Sequence, residues 1–143
     1  MRGMLIICLA TLIPFSAAFR TQSVAVKGKL LCGDKPASGV IVKLSEDDGF
    51  NLPDPDDVIG QVKTSADGTF SLTGSTAELS VIEPELKIYH DCNDQHKECL
   101  RRWLIRIPSR YITDGETPTE TLEIGTLNLE VQLEKEQRRC INQ

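Results

Sequence analysis

Between His90 and Cys99 the chain reads HDCNDQHKEC, placing two histidines and two cysteines within ten residues. His90, Cys92, His96 and Cys99 together offer four nitrogen and sulfur donors, as many as a structural zinc site needs. A cysteine beside a histidine could instead be a nucleophile, provided one thiol stays reduced and a neighbouring base lowers its pKa. The third chemistry is a disulfide closed across a turn. All four metal donors would crowd into one short segment, whereas zinc motifs pair one cysteine knuckle with a distant second one.

Compartment chooses among these. Arg2 opens a short positive start, Met4 to Ile13 is an apolar run, and Pro14-Phe15-Ser16-Ala17-Ala18 follows with small residues at positions 16 and 18. This is the grammar of a cleaved signal peptide, residues 1–18. The apolar run falls short of the roughly 20 residues that cross a bilayer. The remaining chain, 19–143, is one domain's worth of residues and is expected to be secreted. Cys8 leaves with the leader, so Cys32, Cys92, Cys99 and Cys140 remain. An even count in an oxidising compartment favours two disulfides, for which three connectivities exist.

Cys92 and Cys99 bracket six residues between two short strands. If those strands are neighbours, a hairpin would bring the two Cα atoms within the roughly 4.4–6.8 Å that a disulfide needs. The expected scheme is therefore Cys92–Cys99 and, by exclusion, Cys32–Cys140. The second bridge would close a loop of about a hundred residues, worth up to ~4.7 kcal/mol in chain entropy. With every thiol paired, no catalytic residue, metal or cofactor is expected. His90 and His96 are left as turn or surface residues.

Period-two patterns dominate the elements that must position this segment. In SVAVKGKLL, Val24, Val26 and Leu30 share one face. GVIVKLS places Val40, Val42 and Leu44 together, opposite Lys43 and Ser45. VIGQVKT is a third strand, and SADGTFSL leads from an Asp67-Gly68 turn into Phe70 and Leu72. ELKIYH sets Leu86 and Ile88 against Lys87 and Tyr89. RRWLIRI sets Trp103, Ile105 and Ile107 against Arg102, Leu104 and Arg106. In TLEIGTLNLEVQL the phase slips at Gly125-Thr126, where a bulge or a strand break is expected. Past the slip, Leu127, Leu129, Val131 and Leu133 share a face. Seven to eight such strands joined by Gly, Pro and Asp turns make an all-β, antiparallel two-sheet sandwich.

Two segments fall outside this grammar. Residues 46–57 (EDDGFNLPDPDD) hold six acids and two prolines and read as a long solvated loop. Their carboxylates do not match a calcium-loop spacing. The polar tail 134–143 would fray unless Cys140 ties it back. Formal charge is −5, or −6 once Arg2 is removed with the leader, which argues against general nucleic-acid binding. Arg102, Arg106 and Arg110, with Lys97 and Arg101 near by, could still form a local basic row. Such a row would meet lipid headgroups or an acidic receptor.

VAVKGKLLCGDKPASGVIVKLSEDD, GQVKTSADGTFSLTG, LKIYHDC and LEIGTLNL resemble the nematode transthyretin-like proteins, small secreted domains. The resemblance runs from Val24 to Cys140 and implies a disulfide-stapled sandwich of the transthyretin type. It also implies the work of an extracellular binding or adaptor module, engaging cell-surface proteins or exposed anionic lipid. Two other functions come from the wider group: carriage of a small apolar ligand, and hydrolysis of 5-hydroxyisourate. The hydrolases close on a Tyr-Arg-Gly-Ser signature, and this chain closes on Arg139-Cys140-Ile141-Asn142-Gln143.

Overall fold

The computed structural model describes residues 18–47 and 57–141. The leader reading, and the interior of the acidic loop at 48–56, lie outside the described residues. The strands are β1 (Arg20–Cys32), β2 (Lys35–Pro36), β3 (Ile41–Glu46), β4 (Asp57–Lys63), β5 (Thr69–Glu78), β6 (Pro84–His90), β7 (Leu100–Arg106), β8 (Thr113–Asp114), β9 (Thr121–Asn128) and β10 (Gln137–Arg139). A 3-10 turn, Ser109–Tyr111, follows β7. Seven of the strands run six residues or more, and the other three are short bridging pieces.

Two sheets result. In the first, β1 is central, antiparallel to β5, β2 and β8 and parallel to β9. The second is antiparallel throughout, in the order β10-β7-β6-β3-β4. Alternation explains the core between them. Val24, Val26 and Leu30 of β1 and Phe70 and Leu72 of β5 meet Val42, Leu44, Leu86, Ile88 and Trp103 from the second sheet. Each such aliphatic side chain contributes about 1.5–3 kcal/mol on burial.

The phase slip in the last pattern is a bulge. Lys27 pairs with Glu123 and Lys29 with Thr126, so β9 carries one extra residue around Gly125, whose φ is +69°. A second bulge lies in β4. Leu44 pairs with Gly60 but Ser45 with Val58, leaving Ile59 over.

Where the chain departs from simple alternation, neighbours are the cause. β9 stops at Asn128; Leu129 is fully buried, while Val131 and Leu133 are exposed on a turn instead of continuing a core face. The polar tail is tied back through Cys140, as expected, and it also contains a strand, because β10 pairs with β7. Lys87 and Tyr89 are buried although they face away from the core. They lie on the central strand of the second sheet, beneath long side chains such as Lys43, whose Nζ sits 5.3 Å from the Tyr89 ring centroid.

Along one side of the sandwich, β4 and β5 approach until their backbones touch. A Cβ on Gly74 would sit 2.8 Å from the Ile59 carbonyl oxygen, and one on Gly60 would sit 2.6 Å from that of Thr73. Gly74→Ala should therefore lower stability by about 1–3 kcal/mol through overpacking. Urea unfolding would measure it against the exposed neighbour Ser75→Ala, expected within about 0.5 kcal/mol of wild type. A neutral Gly74→Ala would contradict this close approach.

Candidate functional site

The His90–Cys99 segment does not assemble its four donors. Cys32 is bridged to Cys92, with Cα atoms 5.7 Å apart, and Cys99 is bridged to Cys140. The expected pairs Cys92–Cys99 and Cys32–Cys140 are thus both corrected, as is the zinc alternative built on His90, Cys92, His96 and Cys99. Among the described residues no group of three or more His, Cys, Asp and Glu is placed to hold a metal.

The pairing follows from strand direction. Cys92 continues the inward parity of Ile88 and His90 and meets Cys32 at the end of β1, so this bridge joins the two sheets. β7 and β10 pair Leu100 with Arg139, and the same register sets Cys99 opposite Cys140. The bridges span 60 and 41 residues, each worth about 4 kcal/mol in chain entropy. Between Cys92 and Cys99 the chain is no tight hairpin. Asn93, Gln95, His96 and Cys99 all have positive φ, and the Asp94 carboxylate accepts the His96 N–H at 3.0 Å.

His90 is buried inside the sandwich, and His96 is exposed. His90 Nδ1 accepts the Cys92 N–H at 3.2 Å, which puts the ring proton on Nε2. Nε2 has no hydrogen-bond partner among the described residues. The ring stands edge-on to Trp103, centroids 5.8 Å apart. Burial, then the charge of Arg101, pushes the imidazole down from 6.5 to about 4.

Arg101 was expected only as a neighbour of the surface bases, yet it is a buried hub. Its Nη1 donates to the carbonyls of Cys92 and Leu129 at 2.7 and 2.9 Å. Nη2 donates to Val131 O at 2.9 Å and Glu136 Oε2 at 2.7 Å, while Nε donates to Glu136 Oε1. Trp103 Nε1 adds a bond to Glu136 at 2.9 Å. Burial alone would raise the Glu136 carboxyl, but these donors outweigh it and hold it below the usual range. Arg101 thereby ties the C-terminal segment 129–139 across the sandwich. Its inward parity with Trp103 was the available sequence signal.

Arg102 and Arg106 do share a face, the outer side of β7, with half-exposed Leu104 between them. Arg110 lies apart in the 3-10 turn, stacked on Tyr111. Strand register extends this face beyond what β7 alone shows. Residues paired across antiparallel strands point the same way, which adds Lys43, Lys63, Lys87 and Arg139 to Arg102 and Arg106. Glu85 is the acid set among them in the strands, and its carboxyl is raised by burial against the pull of Lys87. Arg106 is 74% exposed and reaches Asp47 and Glu85 at 3.5 Å each; Arg102 donates to Gln137. On a chain of net charge −5, one sheet face is therefore basic. Each strand's pattern showed which residues faced outward, but only the strand order gathers them.

Comparison with known proteins agrees with this architecture. A model of the Transthyretin-like family matches residues 27–108. Transthyretin-like protein 46 of Caenorhabditis elegans is 47% identical over 138 residues, 96% of this chain and 76% of that protein. Transthyretin-like protein 33 of the same organism is 45% identical, covering 89% of this chain and 87% of its own. For transthyretin-like protein 5, also from that organism, the figures are 42%, 99% and 100%. Among solved structures, a 9R-lipoxygenase from Cyanothece aligns with a TM-score of 0.39 and 20% identity, over 75% of this chain and 16% of that one. That likeness is too loose to bear on fold or function. With a matching sequence model, close relatives across the whole domain and a two-sheet β fold stapled by two disulfides, the chain belongs to the transthyretin-like family.

Proposed function

We propose that this protein is an extracellular, non-catalytic binding module that meets an anionic surface, such as exposed acidic lipid or an acidic receptor, through the outer face of its second sheet. The observation that carries this reading is the basic face itself. Lys43, Lys63, Arg102, Arg106 and Arg139 stand around exposed Leu104, on an otherwise acidic chain. Arginines beside an apolar or aromatic group are what protein interfaces concentrate. Each base near an anionic membrane contributes about 1 kcal/mol. A sheet held by two disulfides presents these groups with little ordering cost on binding.

Sedimentation with phosphatidylserine vesicles tests the lipid form of the proposal. Arg102→Glu/Arg106→Glu should reduce bound protein by about thirtyfold or more, since two reversed charges cost at least ~2 kcal/mol. Added salt should weaken wild-type binding. Equal sedimentation of the two proteins would remove the lipid reading. A carrier of small apolar ligands is less well supported. The apolar cleft lined by Ile82, Pro84, Ile107 and Ile112 holds about 180 Å³, short of the ~300–1,000 Å³ of ligand pockets. The wider cleft beside Cys99 is open and lined mostly by charged and polar side chains.

A further inference from the structure

The two disulfides sit in opposite surroundings. Cys92 is buried, and Cys32 packs against the same core. Cys140 is exposed and Cys99 half-exposed, beneath an open cleft of about 460 Å³. His96, Lys97 and Arg139 line that cleft together with Asp91, while Leu100 and Ile141 supply its apolar part. Cys99 also holds a φ of +64°, in the left-handed region that a residue with a Cβ rarely adopts. Breaking the bridge would free that residue to relax.

We propose that Cys99–Cys140 is a thiol-exchange site for small zwitterionic peptide thiols, of which glutathione is the simplest probe, and that Cys32–Cys92 is the permanent staple. The attacking thiolate adds to Cys140 Sγ, the more exposed sulfur. The Cys99–Cys140 bond breaks, and Cys99 departs as a thiolate that takes a proton from solvent. A second peptide thiolate then attacks the peptide sulfur of the mixed disulfide, and Cys140 departs as a thiolate that takes a proton from solvent. The products are the oxidised peptide disulfide and a protein dithiol, so two electrons move from two small thiols to the protein. Lys97 and Arg139 suit the carboxylates of such a thiol, and Asp91 suits its ammonium group.

The fold survives the exchange, because Arg101 and Trp103 still hold Glu136 and the Cys32–Cys92 bridge still joins the sheets. What changes is the end of that segment. β10 is only three residues long. Without its covalent tie it frays, uncovering the backbone edge of β7 at Leu100–Arg102.

The test uses the folded protein, with both bridges formed, in native buffer with reduced glutathione. Free thiols are trapped by alkylation at intervals, and the peptides are mapped. The expected result is glutathione on Cys140 first, then a Cys99/Cys140 dithiol, formed at least about tenfold faster than Cys32–Cys92 is lost. Lys97→Glu/Arg139→Glu should slow the reaction with glutathione more than that with uncharged 2-mercaptoethanol. Equal reaction of both bridges, or glutathione appearing first on Cys32 or Cys92, would overturn the proposal. So would exchange no faster than global unfolding. Equal slowing of both thiols by the charge reversal would overturn the recognition of the peptide.

Discussion

Replacing Arg101 with alanine should lower the unfolding free energy by about 3–5 kcal/mol, because it strands the partly buried Glu136 carboxylate and the buried carbonyls of Cys92 and Leu129. Arg101 is 3% exposed. Its guanidinium is shared among Glu136 and the carbonyls of Cys92, Leu129 and Val131. The loss is thus larger than that of one ion pair. Guanidinium unfolding with both disulfides intact would measure it. Arg101→Met/Glu136→Leu separates the charge from the packing. A well-packed apolar pair can equal a buried ion pair, so the double variant should recover much of the stability lost by Arg101→Met alone. A single variant within about 1 kcal/mol of wild type would show that the hub holds nothing.

The second large effect is a dependence on acid. His90 titrates at about 4 in the folded protein against 6.5 when unperturbed, held down first by burial and then by Arg101. Between these values the unfolded chain binds a proton that the folded one refuses. Stability is therefore full above the unfolded pKa and falls as pH drops towards the folded one. Each pH unit costs up to about 1.4 kcal/mol, or about 3 kcal/mol across the window. Glu136, lowered by its bonds from Arg101 and Trp103, extends the loss to lower pH. Glu85, raised by burial, works the other way, since its protonation in the folded state begins at higher pH. The charges of Glu136, then Asp91 and Asp94, soften the shift of the imidazole. Stability measured from pH 7 to 4 should slope for wild type and flatten in His90→Phe. Matching slopes would assign the acid sensitivity elsewhere.

These two residues mark the limit of what the sequence displayed. Parity alone placed Val24, Val42, Leu86 and Trp103 in the core, and the slip at Gly125 announced its bulge. Those signals are local, carried by neighbours two residues apart. The disulfide pairing was not local. Spacing made Cys92–Cys99 attractive, but Cys92 points into the sandwich while Cys99 follows the register of β7 to β10. Direction separates them more than distance along the chain joins them. Arg101 was hidden for a related reason. Its arginine neighbours suggested a surface row, and its burial depends on a C-terminal segment whose course no periodicity reveals. The basic face was half visible: single strands gave Lys43, Lys87, Arg102 and Arg106 their outward side, and sheet order brought in Lys63 and Arg139.

The bulges in β4 and β9 bear on how the molecule can be recognised. β4 ends the order of the second sheet, and β9 lies at the side of the first beyond β1. A flat open edge would let any extended peptide, or another copy of the chain, continue the ladder bond by bond. An unpaired residue part-way along each edge breaks that template after a few bonds. Growth into fibres along these two edges is discouraged. By the same geometry, a partner must read side chains and loops, because the backbone at these two edges offers it no continuous strand to join.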